Sequence, residues 1–246
     1  MITELINSTK HLVIFVALTV SALYLFFLSE RIRKFVYKQS YSAKEKLAMI
    51  LFFGLFGILA SEYGLKMIGV VANVRDCVAV FAGILGGPAV GIGAGLISGF
   101  YRMSGVVWTG WTGTLGYWSA IGCGLATIGA GFVGAWLSKY KKINIRTIAP
   151  KQVWQISGLL FIWQVIHLHV INPIVAPLYT DKTFMWVQKM FFTKLLLPMG
   201  LANAFGILLL LFLIRDLVIK REMEMAEKEV AKAMAAGGDK RGEVKI

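Results

Sequence analysis

Arg75 and Arg102 bracket a glycine-rich apolar stretch with Gly86-Gly87-Pro88 near its middle. A charge at bilayer depth costs ~3 kcal/mol or more unless it faces a cavity or a partner, so the pair reads first as a site. Twelve residues separate Arg75 from Gly87 and fourteen separate Pro88 from Arg102. At ~1.5 Å per residue those arms measure roughly 18 and 21 Å, short of a ~30 Å hydrocarbon core. The economical arrangement is two short helices that turn at Gly86-Gly87-Pro88 and return Arg102 to the side where Arg75 began. Two guanidiniums at one mouth of a glycine-lined cavity suit a small carboxylate, which arginine grips with paired hydrogen bonds. The alternative is that both arginines snorkel to lipid phosphates.

The elements that would position them belong to a membrane. Hydrophobic residues make up 57% of the 246, charged ones 16%, and the mean hydropathy is +0.70. No ordinary soluble domain has this composition. Apolar runs cover about 11–28, 47–71, 117–138, 152–172 and 195–219, with the short pair at 76–101. The fold class expected is therefore an all-α polytopic membrane protein, with about five full-length transmembrane helices plus a short-helix hairpin at the Gly-Gly-Pro turn. The first run follows a polar segment and precedes a basic one, so it reads as an uncleaved anchor.

The net charge of +13 does not signal nucleic acid, because the aromatic residues flank apolar runs rather than interleave with a basic patch. Of the 26 basic residues, 19 fall in 31–46, 139–151 and the end from Arg215 onward. Under the positive-inside rule these segments are cytoplasmic and alternate correctly only if the short pair is a hairpin. The N-terminus, Arg75, Arg102 and the 173–194 loop are then external. The stretch from Met103 to Thr114, with Trp108 and Trp111, is too polar and glycine-rich for a lipid-facing helix. It suits an external flap whose tryptophans sit at headgroup level or cover a ligand.

Several other features admit chemical readings. Gly122, Gly124, Gly129, Gly131 and Gly134 read as close-packing positions. Cys77 and Cys123 read as two buried thiols, with a disulfide the alternative. His167 and His169 are two apart, so on a helix they diverge by about 200° and cannot form an i, i+4 metal pair. No metal and no cofactor is expected. Glycines without a preceding strand or a βαβ pattern are no dinucleotide fingerprint. Pro198 kinks the last span and frees a carbonyl, and the amide of Asn203 seeks a partner.

Asn73-Val74-Arg75, Ala82 to Pro88, Gly91, Gly95, Gly99, Arg102 and the Pro198, Asn203, Gly206 pattern resemble the LytS/YhcK-type five-transmembrane receptor domain, over about 10–222. That domain is the membrane sensor of LytS-like histidine kinases, and the resemblance implies a link to cell-wall and autolysis regulation. It further implies binding of external pyruvate through two arginines, a cysteine and a serine. Arg75, Arg102 and Cys123 match; the serine position falls on Ala126, beside Thr127, and Asn73 joins the candidate ligand-binding set.

A LytS-like kinase continues into a phospho-accepting histidine and an ATPase domain. Here 27 residues follow Ile219 and no histidine follows His169, so no kinase activity is expected of this chain. Ile219, Met223, Ala226, Val230 and Ala233 form an apolar stripe with a seven-residue repeat, read as the remnant of a dimeric signalling helix or as a solvated juxtamembrane helix. The organisation expected is a transmembrane sensor over 1–219, a signalling helix over 220–236 and a disordered tail over 237–246. The expected role is a bacterial inner-membrane receptor for a small anionic carboxylate, partnered by a second copy, a kinase or a response regulator. A substrate-capturing subunit of a vitamin-type transporter and a purely structural envelope protein are the alternatives.

Overall fold

The computed structural model describes residues 14, 16, 17, 19–25, 27–29, 38, 40–67, 70–108, 114–145, 147–178 and 182–238. The expected external N-terminus, Arg31, Arg33 and Lys34, the tryptophan-rich centre at 109–113 and the tail at 239–246 lie outside them. The described part of 14–28 is helical and buries Val16, Val20, Leu23 and Phe27.

Helix α1 runs over Ala43–Glu62 and starts at a capping box. Ser42 Oγ accepts from the Glu45 backbone N–H, and the Glu45 carboxylate accepts from the Ser42 N–H at 2.8 Å. The expected span at 47–71 is thus too long, because the chain leaves the helix after Glu62. Strands β1 (Leu65–Met67) and β2 (Val70–Ala72) pair antiparallel, with Lys66 opposite Val71. This small ribbon is a local departure within an architecture that is otherwise all-α, as expected; the β-branched residues of Val70-Val71 suit strand better than helix.

Helix α2 (Arg75–Gly86) and helix α3 (Pro88–Trp108) meet at Gly87. Gly87 adopts φ +85°, which a residue with a Cβ rarely occupies. The chain reverses there, and Gly83 and Gly91 bring the two backbones into contact: a Cβ on Gly91 would lie 2.6 Å from the Gly83 Cα. Gly86 and Gly87 line a cavity of about 470 Å³ together with Lys38, Lys46, Ser138 and Lys142, so the turn sits at the basic end of the bundle. The second arm is longer than expected, 21 residues. It need not stop at Arg102, because that side chain is buried against the bundle.

Helix α4 (Thr114–Lys139) packs three of its glycines on this pair, while Gly122 faces Asn172 and Gly129 faces Trp163. Gly134 touches the Val80 backbone, Gly124 the Gly99 carbonyl, and Gly131 the Gly91 carbonyl, as the small-residue reading anticipated. Helix α5 (Pro150–Ile166) continues into a π-turn, His167–Ile171, a short α6 (Asn172–Val175) and a 3₁₀ turn, Ala176–Leu178.

The expected loop at 173–194 is largely helical, since α7 spans Phe184–Lys194 with Thr183 as its cap. The run breaks at Leu195 and resumes as α8 (Leu196–Gly238). Pro198 explains the break: its ring opposes the carbonyl four residues back, at Lys194. The expected kink therefore separates two helices rather than bending the last one. Helix α8 then runs unbroken through Ile219 and exposes Met223, Ala226, Val230 and Ala233. Among the described residues, Ser119–Lys139, Pro150–Leu178 and Leu196–Met234 are long and apolar enough to cross a membrane.

Candidate functional site

Arg75 occupies the first position of α2, where the positive end of the helix dipole disfavours a cation. Its surroundings compensate. Nη1 donates to Ser61 Oγ at 2.9 Å, and the Ser61 hydroxyl donates to the Gly57 carbonyl at 2.9 Å, so the end of α1 fixes the guanidinium. Arg75 is 1% exposed and Arg102 is 9% exposed. The two lie within electrostatic reach of each other, and both act on the Cys123 thiol of α4. The structure therefore brings Arg75, Arg102 and Cys123 to one place. Nε of Arg75 is buried with no hydrogen-bond partner.

Asn73 and Thr127 stand in the same neighbourhood with their polar atoms already engaged. Asn73 Oδ1 accepts from the Arg75 backbone N–H at 3.2 Å, which steadies the start of α2. Thr127 Oγ1 lies 2.8 Å from Asp76 Oδ1 and 2.9 Å from the Cys123 carbonyl, and its single proton serves one acceptor at a time. Gly86, Gly87 and Pro88 form the turn at the opposite end of α2, away from the arginines.

Asp76 is the residue the sequence reading passed over. Fully buried beside Arg75, it accepts from Thr127 through Oδ1 and from Gln164 Nε2 at 2.8 Å through Oδ2. His167 Nδ1 lies 3.2 Å from the same Oδ2 and 3.3 Å from Gln164 Oε1. The imidazole of His167 stands beside Cys123. Its partner in the metal question, His169, instead packs edge-on to Phe192, with centroids 5.4 Å apart. Asn172 completes the wall: Nδ2 donates to the His167 carbonyl at 3.3 Å and approaches Cys123 Sγ at 4.0 Å.

Asn203 of α8 clamps the far side. Its Oδ1 accepts from the Cys77 N–H at 3.1 Å, and its Nδ2 donates to the Asn73 and Met199 carbonyls at 3.0 Å each. The amide thus finds the partners the sequence demanded, on both flanks of Arg75. Cys77 and Cys123 are both free and buried.

The description "5TMR of 5TMR-LYT" belongs to the family model that matches residues 29–217. The chain is 28% identical over 207 residues to the Sensor protein LytS of Bacillus cereus, covering 77% of this chain and 31% of that protein. It is 34% identical over 127 residues to the Sensor histidine kinase YpdA of Escherichia coli, covering 52% and 20%. Against the Sensor histidine kinase BtsS of Escherichia coli it is 26% identical over 171 residues, covering 70% and 28%. No solved structure matches. The chain spans about a third or less of the length of these relatives, and their kinase part is not in this sequence. With most of its length matched by that model, the chain belongs to the five-transmembrane receptor family of LytS-type sensors.

Proposed function

We propose that the chain is a receptor domain of LytS-type two-component signalling that binds a small external monocarboxylate, pyruvate-like in size, between Arg75 and Arg102. The observation that carries this reading is the pair of buried guanidiniums, Arg75 and Arg102, that both act on the Cys123 thiol. A guanidinium engages a small carboxylate through paired, charge-assisted hydrogen bonds, which gain strength away from water. Cys123 lies beside both arginines, Thr127 bonds to Asp76 next to them, and Asn73 holds the start of α2 that carries Arg75. A planar carboxylate suits the fork of arginine, as the compact point charge of lysine does not.

Ligand binding shifts the receptor only as far as it favours one arrangement over another. Asn203 supports a route for that shift. It ties the start of α2, where Arg75 sits, to α8, and α8 continues into the signalling helix at 220–236. At the other end, Arg215 Nε donates to the Ile148 carbonyl at 3.2 Å, which links the same helix to the basic loop.

In this reading 1–219 is the sensor, with five spans and the Gly-Gly-Pro hairpin in a bacterial inner membrane, N-terminus outside and C-terminus cytoplasmic. The output passes through the stripe from Ile219 to Ala233 to a second copy or to a partner kinase or response regulator, and cell-wall regulation is its downstream role.

Calorimetry of pyruvate with the detergent-solubilised wild type, Arg75→Lys and Arg102→Ala tests the site. Losing one of two charge-assisted hydrogen bonds removes ~1.5–3 kcal/mol, so Arg75→Lys should bind roughly 10- to 150-fold more weakly. Equal affinity in all three proteins removes these arginines from the site.

A further inference from the structure

We propose that Cys123, His167 and Asp76 act together to add the Cys123 thiol reversibly to the carbonyl carbon of a 2-oxo acid held by the two arginines. The inference rests on the carboxylate-receptor reading and names the ligand class and its chemistry. It starts from the tautomer of His167. Two acceptors face Nδ1, Asp76 Oδ2 at 3.2 Å and Gln164 Oε1 at 3.3 Å. The Gln164 amide is oriented by its own donation from Nε2 to Asp76 Oδ2, which turns Oε1 toward the ring. The proton of the neutral imidazole therefore sits on Nδ1, and Nε2 carries the lone pair.

That Nε2 is buried and makes no hydrogen bond of good geometry, while the Cys123 thiol stands close enough to the ring to interact with it. A carboxylate orienting an imidazole that flanks a thiol is the constellation by which enzymes activate cysteine nucleophiles. A buried imidazole nitrogen without a well-formed hydrogen bond is costly, and the thiol beside the ring carries the proton that would relieve it.

The remaining contacts select the ligand. Arg75 and Arg102 flank Cys123 and would fix a carboxylate, and in a 2-oxo acid the electrophilic carbon is one bond away from that group. In the step, the Sγ–C bond forms as the π bond of the carbonyl breaks. The thiol proton passes through His167 Nε2 to the carbonyl oxygen, which becomes a hydroxyl. Nothing is oxidised or reduced, and the reverse step returns the 2-oxo acid intact, as a sensor requires. Asp76 is the positioning residue, since it acts through His167. A 2-hydroxy acid or a simple carboxylate can occupy the arginines but has no carbon for the thiol to attack.

The test uses the full chain in detergent, with pyruvate carrying carbon-13 at C2, and calorimetry in parallel. A protein-dependent signal should appear in the tetrahedral-carbon region and vanish in Cys123→Ser. The preference for pyruvate over lactate should be about tenfold or more in the wild type and collapse in Cys123→Ser. Asp76→Asn should alter the pH profile of adduct formation, a readout that a merely structural carboxylate leaves unmoved. Pyruvate that binds with its ketone signal intact, or a tetrahedral signal that survives in Cys123→Ser, overturns this inference and leaves the carboxylate receptor standing. Absence of pyruvate binding by calorimetry overturns both.

Discussion

Replacing Asp76 separates a charge-assisted network from simple core packing. In Asp76→Asn the isosteric side chain can keep its oxygen toward Gln164 Nε2 and His167 Nδ1 and turn its amide toward Thr127. The Thr127 hydroxyl then accepts from that amide and donates to the Cys123 carbonyl, already 2.9 Å away. Every partner stays satisfied, and what disappears is the charge assistance of two hydrogen bonds. Charged bonds contribute ~1.5–3 kcal/mol and neutral ones ~0.5–1.5, so the loss is about 1 kcal/mol for each bond and about 2 in all. For a protein of this length that lowers Tm by roughly 4–8 °C. Asp76→Leu is harsher, because it removes the acceptor along with the charge and strands the Gln164 amide and the His167 ring N–H. Two stranded buried donors at ~1–3 kcal/mol each make a loss of roughly 2–6 kcal/mol. Thermal unfolding of the purified protein in detergent, followed by circular dichroism, measures both. Asp76→Asn melting with the wild type, and Asp76→Leu no lower than Asp76→Asn, would refute the reasoning.

Three further outcomes are expected. In a Cys77→Ser, Cys123→Ser background, single cysteines at 40, 145 and 240 should escape an impermeant maleimide in intact cells while one at 105 reacts; labelling at 145 sinks the topology. Gly134→Val should disrupt the bundle, since even a Cβ would lie 2.5 Å from the Val80 carbonyl oxygen, whereas Gly158→Ala, with open space around it, should be neutral or stabilise by up to ~1 kcal/mol in thermal melts. Met223→Asp with Val230→Asp should abolish disulfide crosslinking through a cysteine at 226 while pyruvate affinity is unchanged; persistent crosslinking excludes the stripe as a pairing face.

The sequence made part of this site legible because its signals were local. A buried arginine is conspicuous in an apolar run, and Gly86-Gly87-Pro88 announces a reversal whose left-handed residue proves to be Gly87. An intramembrane asparagine demands partners, and Asn203 has them. Asp76 was invisible for the opposite reason. Next to Arg75 at a helix start, an aspartate reads as a favourable end charge, and nothing local shows that its donors come from positions 127, 164 and 167. The second apolar run misled because hydropathy alone does not distinguish the end of α1 from the short ribbon that follows it.

His167 and Asn172 were hidden by the helix period itself. At about 100° per residue, five positions on an α-helix leave two side chains roughly 140° apart. The π-turn removes that divergence: the Asn172 N–H bonds to the His167 carbonyl, five residues back, and one turn closes between them. Pro173 supplies the local reason, because it has no N–H for the His169 carbonyl that an α-helix would pair with it. Both side chains then face the contact of α2 with α4, where His167 meets Asp76 of α2 and Asn172 approaches Cys123 of α4. Pro173→Ala supplies that missing N–H and should let the turn relax to α-helical phasing at full length, swinging these two residues apart. Helix content should survive, whereas pyruvate binding should fall by at least about tenfold, the equivalent of one lost hydrogen bond at ~1.4 kcal/mol. Deleting Val170, which is exposed within the π-turn, from Pro173→Ala leaves the two residues four positions apart, about 40° on an α-helix, and should restore binding. Undiminished pyruvate binding in a Pro173→Ala protein that circular dichroism shows to be folded would show that the π-turn does not build the site.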